Sequence, residues 1–310
     1  MRILFMGTPD FALFSLRALV ESGENVVGVV TQPDKPKGRG YSLTPPPVKL
    51  YALEQGLPVF QPTTLRTEEF AALLTELNPD LIVVVAYGKI LPTNVLEYPS
   101  YGCINVHGSL LPEYRGAAPM QRAIIDGKKQ TGITTMLMAD GIDTGDMLLK
   151  ETVDIEENDN FETIHDKLGA IGAQVLLDTV NALRTEGLTP IPQDHALATH
   201  AAKIEKADCL IDFSRSARDV HNQIRGLSPV PLAFTHTPDG KMLKVIASEV
   251  CTTAPAAAPG TVVSLADAKI TVACADGAIA LLTVLPEGKK RMSAADFING
   301  RKINVGDVLI

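Results

Sequence analysis

Short apolar runs alternate with longer amphipathic segments over the first two-thirds of the chain. The apolar runs are rich in β-branched residues, which predicts buried strands of a parallel sheet. These strand candidates are Ile3–Met6, Val26–Thr31, Leu81–Ala86, Gly102–Val106, Ile133–Met138 and Met147–Ile155. Helical periodicity covers Phe11–Ser22, Leu65–Leu77 and Phe161–Thr185, the last with Asp159 or Asn160 as its N-cap. The alternation predicts a Rossmann-like, doubly wound α/β domain, in which ligands bind beyond the carboxyl ends of the strands.

The last third of the chain has a different pattern, with brief strand candidates separated by turn residues. A short helix is predicted near Ala217–Ile224, and Ser293 and Asp296 form a capping-box pattern that begins a last helix. The strand candidates are Leu243–Val250, Gly260–Ser264, Ile270–Cys274 and Ala278–Val284. Strands this short predict a small antiparallel barrel. The expected division of the chain is a catalytic domain over 1–188, a linker over 189–206 and a barrel domain over 207–310.

The candidate chemistry lies at the end of the fourth predicted strand. Asn105 and His107 project to the same side of an extended segment, because side chains alternate with period two. Gly108 and Pro112 end the strand, so both polar side chains should face a crevice at its carboxyl end. Asp143 follows 31 residues after Pro112, in the string D-T-G-D. An amide, an imidazole and a carboxylate suit a reaction that passes through a tetrahedral oxyanion, such as acyl transfer.

Several other chemistries are disfavoured. No serine or cysteine in the string is an obvious nucleophile beside His107, so the attacking group is expected to belong to the substrate. Cys103 is interpreted as a small core residue of the strand. The remaining five histidines show no metal-ligand spacing with cysteine or acidic residues, so no metal is expected. The first turn reads G-T-P-D-F and lacks the dinucleotide fingerprint, which argues against a nicotinamide cofactor.

Charge is unevenly distributed along the chain. The formal net charge of −8 argues against a general nucleic-acid binder. Residues 1–206 carry net −9 and residues 207–310 carry net +1. One basic cluster contains Lys35, Lys37, Arg39 and Lys49, and a second contains Lys289, Lys290, Arg291, Arg301 and Lys302. Local basic patches on an acidic body suit selective contact with a phosphate backbone.

Cysteine usage and hydropathy indicate the compartment. The four cysteines are far apart and form no C-x-x-C pair, so a reducing cytoplasm is expected. The longest apolar run, Leu81–Tyr87, is too short to span a bilayer, and no signal peptide is expected before the first strand. We therefore expect a protein without membrane association.

The strings along the chain resemble those of the folate-dependent formyltransferases, and the resemblance runs nearly from end to end. They are G-T-P-D-F at 7–11, T-Q-P-D-K-P-K-G-R-G at 31–40, V-V-A-Y-G at 84–88, N-x-H-G-S-L-L-P at 105–112, R-G-A-A-P-M-Q-R at 115–122, G-I-D-T-G-D-M at 141–147 and P-E-G-K-K-R-M-S at 286–293. The resemblance implies an OB-like barrel after the Rossmann-like domain. It implies 10-formyltetrahydrofolate as formyl donor, the methionine amine of initiator tRNA as acceptor, and a protein that acts as a monomer.

The resemblance also implies roles for individual residues. Asn105 and a protonated His107 would stabilise the oxyanion, and Asp143, rather than the competing Asp146, would assist proton transfer. The residues expected to bind folate are Val85, Ala86, Tyr87, Gly88, Ile90, Leu91, Ser109, Leu110, Leu111 and Pro112. The residues expected to bind tRNA are Lys35, Lys37, Arg39, Lys289, Lys290 and Arg291.

Two alternatives remain open at this point. One is a formyltransferase that acts on another amine, such as an amino sugar nucleotide or glycinamide ribonucleotide, although such enzymes should lack the basic loop over 31–49 and the basic barrel. The other is a non-catalytic RNA-binding module on this scaffold. An inactivated scaffold would need to lose only one of Asn105, His107 and Asp143. The presence of all three therefore argues against the non-catalytic module.

Overall fold

In a computed structural model, residues 1–37, 42–185, 187–251 and 256–310 are described, without the side chains of Lys37 and Ser42. The chain divides into two compact units. The N-terminal unit contains Met1–Gly116, Thr131–Val153 and His165–His200, and the C-terminal unit contains Ala117–Gln130, Asp154–Ile164 and Ala201–Ile310. Among the described residues, no helix combines the length and the apolar character needed to cross a membrane.

Strands and helices alternate through most of the N-terminal unit. The strands of the chain are β1 Arg2–Gly7, β2 Asn25–Val30, β3 Lys35–Lys37, β4 Ser42–Thr44, β5 Val59–Phe60, β6 Leu81–Val85, β7 Cys103–His107, β8 Arg115–Gly116, β9 Gln130–Leu137, β10 Met147–Asp154, β11 His200–Ala201, β12 Ala233–His236, β13 Met242–Cys251, β14 Val262–Ser264, β15 Ile270–Ala273, β16 Ala278–Pro286 and β17 Met292–Ser293. The α-helices are α1 Asp10–Glu21, α2 Pro47–Glu54, α3 Glu68–Leu77, α4 Thr93–Leu96, α5 Pro119–Ile125, α6 Phe161–Thr185, α7 Ala217–Gly226 and α8 Ala294–Asn299. The predicted strands and helices are confirmed, with small differences at their ends.

The sheet of the N-terminal unit has seven strands in the order β10-β9-β7-β6-β1-β2-β5. From β5 to β7 the strands pair in parallel, which confirms the Rossmann-like expectation. All of β6 and nearly all of β1 are buried, as expected where helices cover both faces of a parallel sheet.

One part of this sheet differs from the sequence expectation of parallel strands. β7 and β9 pair antiparallel, with His107 opposite Thr134. The reason lies in the connection between them. Its helix, α5, belongs to the C-terminal unit, so the connection is not the helical crossover that makes neighbouring strands parallel.

The ends of α3 follow from local hydrogen bonds. The helix begins at Glu68, three residues after the predicted Leu65, because the Thr67 side chain accepts a hydrogen bond from the Phe70 N–H at 3.2 Å. It ends at Leu77 and is capped by Asn78, whose φ of 41° lies in the left-handed region that Asn tolerates.

The long helix α6 is capped by Asn160. The Asn160 side chain accepts from the Thr163 N–H, and the Thr163 hydroxyl accepts from the Asn160 N–H, both at 2.9 Å. Further along α6, a Cβ at Gly169 would lie 2.6 Å from the Phe14 ring. Glycine therefore permits α6 to pack closely on α1 within the N-terminal unit.

The basic loop over 31–49 contains a hairpin, β3–β4, and then α2. Residues 38–41 lie outside the described residues. The base of the hairpin is fixed by polar contacts, because the Lys49 ammonium pairs with Asp34 at 2.8 Å and donates to the Gln61 side-chain oxygen at 2.8 Å. Hydrogen bonds from Gln61 and Lys49 lower the pKa of the Asp34 carboxyl. Lys49 therefore forms a structural ion pair with Asp34.

The C-terminal unit contains a six-stranded antiparallel sheet. Its main path is β12-β13-β16-β15-β14, and β17 pairs with β16. Residues 307–310, which we call the C-terminal tail, bond to both ends of this path. The Leu309 N–H donates to the Gly260 carbonyl at 2.9 Å, and the His236 N–H donates to the Ile310 carbonyl at 2.8 Å. The tail bridges the two edges of the curled sheet, which is consistent with the expected OB-like domain and which we call the barrel.

A buried arginine attaches α7 to the segment 154–164 of the same unit. Arg225 is 8% exposed, and its guanidinium donates to the carbonyls of Glu156 and Asp159 at 2.9 and 3.0 Å. Its Nε donates to the Asn222 side chain at 2.9 Å. A buried guanidinium requires such acceptors, because an unpaired one would carry a large desolvation cost.

Candidate active site

Asn105 and His107 lie at the carboxyl end of β7, as predicted. Ile104 and Val106 between and beside them are buried on the opposite face of the sheet, which reflects the alternation of a strand. Asn105 pairs with Val84 on β6, one residue before that strand ends. Both polar side chains therefore lie where the strand edge and the following turns form the ligand-binding side of the fold.

His107 is buried and faces an acceptor with each ring nitrogen. Its side chain is 7% exposed. Nε2 lies 3.0 Å from the Tyr114 carbonyl oxygen, and Nδ1 lies 3.6 Å from Asp143 Oδ2. Since Nε2 is occupied by the carbonyl, Nδ1 is the nitrogen left for a reaction. Two facing acceptors suit an imidazolium, which donates from both nitrogens.

Asp143 adopts an unusual backbone conformation beside this ring. Its φ is 53°, in the left-handed region that few non-glycine residues adopt. The Gly116 N–H donates to its Oδ2 at 2.8 Å, and the side chain is 13% exposed. The structure therefore brings Asp143 next to His107, while the Asp146 carbonyl accepts from the Leu137 N–H in the adjoining strand contact.

The Asn105 amide completes the group. Its side chain is partly buried, and among the described residues it has no hydrogen-bond partner. A free amide donor next to an imidazole can stabilise negative charge that develops on a bound oxygen. Within the same described ranges, no group of three or more metal-ligating side chains lies together.

The S-L-L-P segment is held mainly by its own contacts. Ser109 is fully buried and its hydroxyl donates to the Glu113 carbonyl at 2.6 Å. The Thr134 hydroxyl donates to the Ser109 carbonyl at 2.7 Å and accepts from the Leu111 N–H at 3.1 Å. The Lys150 ammonium donates to the Leu111 carbonyl at 2.5 Å, and burial lowers the pKa of this lysine. Of the four predicted folate residues here, Leu110 and Pro112 remain partly exposed.

The turn after β6 alternates between buried and exposed residues. Val85, Tyr87 and Leu91 are buried, whereas Ala86, Gly88 and Ile90 are exposed. Burial raises the pKa of the Tyr87 hydroxyl to about 12. The exposed part of this turn is the part that a ligand could contact.

A glutamine side chain holds this turn through a hydrogen bond to its backbone. Gln32 Nε2 donates to the Tyr87 carbonyl at 2.8 Å, and a Cβ at Gly88 would lie 2.5 Å from that nitrogen. Gly88 also has a φ of 78°, so a side chain there would be strained as well as crowded. The absence of a Cβ at Gly88 keeps the turn open beside Gln32, and sequence reasoning did not find this glutamine.

The predicted tRNA residues lie in two places. Lys35 is exposed on β3, where its ammonium donates to the Gln32 side chain at 2.7 Å. Arg39 lies outside the described residues, and so does the side chain of Lys37. Lys289, Lys290 and Arg291 are exposed in the turn between β16 and β17. Both clusters thus have at least one cation that a partner could reach.

Sequence reasoning also missed Gln193 and Arg115. Gln193 falls in the segment predicted as a linker, yet it is 6% exposed and its amide donates to the carbonyls of Asp143 and Gly145. Arg115 donates to the Gln193 side-chain oxygen. No local signal marks Gln193, because its partners lie about 50 residues away in sequence.

Comparison with known proteins gives matches along both units. The family model described as Formyl transferase matches residues 1–180, and the model described as Formyl transferase, C-terminal domain, matches residues 203–302. The chain is 51% identical over 309 residues to methionyl-tRNA formyltransferase of Bacillus subtilis, covering 99% of this chain and 97% of that protein. It is 49% identical over 314 residues to methionyl-tRNA formyltransferase of Desulforamulus reducens, covering 100% of this chain and 98% of that protein.

Solved structures share the fold at lower identity. HypX from Aquifex aeolicus, in complex with tetrahydrofolic acid, has a TM-score of 0.65 at 17% identity, over 98% of this chain and 48% of that one. WlaRD, a sugar 3N-formyl transferase, has a TM-score of 0.65 at 16% identity, over 94% of this chain and 99% of that one. Because both family models match and the two relatives at 49% and 51% identity align over nearly the whole chain, this chain belongs to the formyl transferase family.

Proposed function

We propose that this enzyme transfers the formyl group of 10-formyltetrahydrofolate to the α-amine of methionine on initiator tRNA. The observation that carries the chemistry is the 3.6 Å approach of Asp143 to His107, with Asn105 two residues before His107 on the same strand. Relatives named methionyl-tRNA formyltransferase, similar over nearly the whole chain, support the choice of acceptor.

The described surroundings of His107 support direct attack by the substrate amine. Its ring nitrogens face the Tyr114 carbonyl and the Asp143 carboxylate, and neither group is the serine or cysteine nucleophile of covalent catalysis. The amine nitrogen first adds to the formyl carbon, which gives a tetrahedral oxyanion. The bond from that carbon to the folate nitrogen then breaks as the formyl C=O bond re-forms. The amine proton passes to the departing nitrogen, so atoms and charge balance.

Each polar side chain then has a distinct task. The Asn105 amide donates to the formyl oxygen as negative charge develops there, a contribution of about 10²–10³ in rate for a donor of this kind. The Nδ1 edge of the His107 ring places positive charge near the same formyl oxygen. Asp143, 3.6 Å from that nitrogen, orients the ring and assists the transfer of the amine proton.

The turn after β6 and the S-L-L-P segment are suited to hold the folate. When bound, 10-formyltetrahydrofolate supplies the one-carbon group. The exposed Ala86, Gly88 and Ile90 and the partly exposed Leu110 and Pro112 offer backbone groups and apolar surface to a flat heteroaromatic ring. Gly88 fits this use because a Cβ there would fill space beside the ring site and crowd Gln32.

The basic residues of both units support tRNA as partner. Lys35, Lys37 and Arg39 in the basic loop over 31–49 would contact the acceptor stem, and Lys289, Lys290 and Arg291 would contact phosphates from the barrel. The Arg39→Ala enzyme should lose activity on tRNA, and initiator tRNA should protect the hairpin from trypsin. Full activity of that variant, with unchanged cleavage, would favour a small amine as acceptor.

The decisive experiment supplies labelled 10-formyltetrahydrofolate with one acceptor at a time. The acceptors are initiator methionyl-tRNA, elongator methionyl-tRNA, an amino sugar nucleotide and glycinamide ribonucleotide. We expect label on the initiator tRNA only. Label on a small amine, or binding of tRNA without any formyl transfer, would overturn the proposal.

We also propose that the enzyme acts as a monomer in the cytoplasm. All four cysteines are unpaired, which suits a reducing compartment. Sedimentation of the purified enzyme at micromolar concentration should give the mass of a single 33.1 kDa chain.

A further inference from the structure

The peptide that carries Asp143 requires support from outside its own loop. Its left-handed φ of 53° is maintained only where the surroundings fix it. Gly145, two residues later, is equally constrained, because a Cβ there would lie 1.7 Å from the Leu137 carbonyl oxygen. The D-T-G-D turn is therefore tightly packed at one end and needs an anchor at the other.

Gln193 provides this anchor through its side-chain amide. Nε2 donates to the Asp143 carbonyl at 2.9 Å and to the Gly145 carbonyl at 2.6 Å. The residue is 6% exposed, so water competes little for these bonds. One amide group thus holds two carbonyls of the turn, one of them on the peptide of the candidate catalytic carboxylate.

Arg115 fixes which way the Gln193 amide points. Its Nε and Nη2 donate to Gln193 Oε1 at 3.0 and 2.7 Å. A guanidinium only donates and the two turn carbonyls only accept, so a flipped amide would lose all four contacts. The neighbouring residue, Gly116, donates its N–H to the Asp143 carboxylate at 2.8 Å. Residues 115–116 and Gln193 therefore hold Asp143 at both its side chain and its backbone.

We propose that Gln193 is a positioning residue for Asp143, with Arg115 fixing the orientation of the Gln193 amide. This inference rests on the proposed function, since it assigns Gln193 to the same transfer reaction. Gln193 touches no reacting atom. It sets the 3.6 Å approach of the Asp143 carboxylate to His107, and a misplacement of about 1 Å at such a site can cost about 10²-fold in rate.

The test uses Gln193→Glu, which keeps the shape of the side chain and its acceptor for Arg115 but removes the donor to the turn. We expect kcat for methionyl-tRNA to fall about 10- to 100-fold, while the KM for tRNA and the binding of tetrahydrofolate stay near wild type. Gln55→Glu, the same change at an exposed residue, is the matched control and should be silent. If the Glu variant unfolds at the assay temperature, Gln193→Met replaces it in the same scheme.

A double-mutant cycle with Asp143→Asn separates positioning from a general structural role. If Gln193 acts through Asp143, adding Gln193→Glu to the Asp143→Asn enzyme should lower kcat no further. Multiplicative losses, or a Gln193→Glu enzyme with wild-type kcat, would overturn the inference. Failure of the wild-type enzyme to formylate methionyl-tRNA in the same assay would instead refute the proposed function.

Discussion

At the scale of single residues, Asp143 offers an unusually clean substitution. Its backbone is left-handed, a conformation that Asn adopts at least as readily as Asp, so Asp143→Asn removes charge without adding backbone strain. An alanine at this position would remove the charge and also add backbone strain, so the cause of a fall in kcat would be ambiguous. The conformation of the residue thus decides which variant reports on chemistry.

We predict that Asp143→Asn and His107→Ala lose most turnover while still binding folate. Their proposed roles lie in the transition state, so kcat should fall with little change in the affinity for tetrahydrofolate. Asn105→Ala should lower kcat about 10²–10³-fold for the loss of one oxyanion donor. Single-turnover rates and folate titration measure the two quantities separately. A rate near wild type in any of the three variants would remove that residue from the mechanism.

The residues of the site differ in how well sequence reveals them. Alternation along β7 places Asn105 and His107 on one face, so a local rule suffices for both. The contact of Gln193 with the Asp143 peptide depends on chain segments about 50 residues apart meeting in the fold, and a single glutamine carries no periodic signal. Tyr114 likewise meets His107 through its backbone carbonyl, which no side-chain pattern can encode.

At the scale of elements, α7 contains a buried histidine whose protonation is coupled to folding. Burial lowers the pKa of His221, and the adjacent Arg225 guanidinium lowers it further, against a smaller opposing effect of Glu157. The His221 ring is 3.1 Å from the Ser248 hydroxyl on β13. The folded unit therefore binds a proton at this site less readily than the unfolded chain.

We predict that the C-terminal unit loses stability as the pH falls from 7.5 to 5.5. The unfolded chain takes up a proton at His221 below about pH 6.5, whereas the folded unit does so only at lower pH, so the free energy of unfolding declines across this window. Above it, neither state is protonated at this residue and the effect is absent. Urea unfolding at several pH values, compared with His221→Gln, measures the difference. Equal pH dependence in both proteins would assign the effect to other groups.

The turn between β16 and β17 is the second element with a measurable expectation. Replacing Lys289, Lys290 and Arg291 with Gln should raise the KM for tRNA and flatten its dependence on salt, because each phosphate contact releases counterions. Lys241→Gln is a suitable control, since its charge is already paired with Asp239 in the same unit. A triple variant with an unchanged KM and salt slope would show that the turn is only a solvated loop.

Most elements were predictable here, and so was the parallel direction of β1, β2, β6 and β7, whereas the antiparallel step to β9 was not. Short apolar runs rich in β-branched residues identify β1 and β6, and helical periodicity identifies α6. The antiparallel step between β7 and β9 depends on α5 packing in the C-terminal unit, a tertiary event that leaves no mark in the local pattern. The hairpin β3–β4 was missed because its two strands of three residues are mostly polar.

At the scale of the whole molecule, the closure of the barrel depends on the C-terminal tail. Leu309 is 3% exposed and belongs to the barrel core, whereas its neighbour Ile310 is 73% exposed. Both residues form backbone hydrogen bonds with the barrel edges, so their side chains are the main difference between them. The pair gives a matched test of how much the core depends on the tail.

We predict that Leu309→Ala lowers the free energy of unfolding of the C-terminal unit by about 2–5 kcal/mol, the usual cost of removing a buried leucine side chain. Ile310→Ala should change it by less than about 0.5 kcal/mol, because an exposed side chain contributes little. Urea titration of the full-length proteins gives both values. Negligible losses in both variants would mean that the tail acts through its backbone alone.

The position of the C-terminal tail has a consequence for how the chain folds during its own synthesis. Residues 307–310 leave the ribosome after every strand that they join, while the last segment of the N-terminal unit ends at residue 200. The N-terminal unit can therefore fold during elongation, whereas the barrel waits with two open strand edges until the tail clears the exit tunnel. Protease protection of stalled nascent chains should appear first in the N-terminal unit. In the barrel it should appear only when residue 310 is outside the tunnel, so a ribosome stalled while the tail is still inside the tunnel would hold a folded N-terminal unit attached to an unclosed barrel.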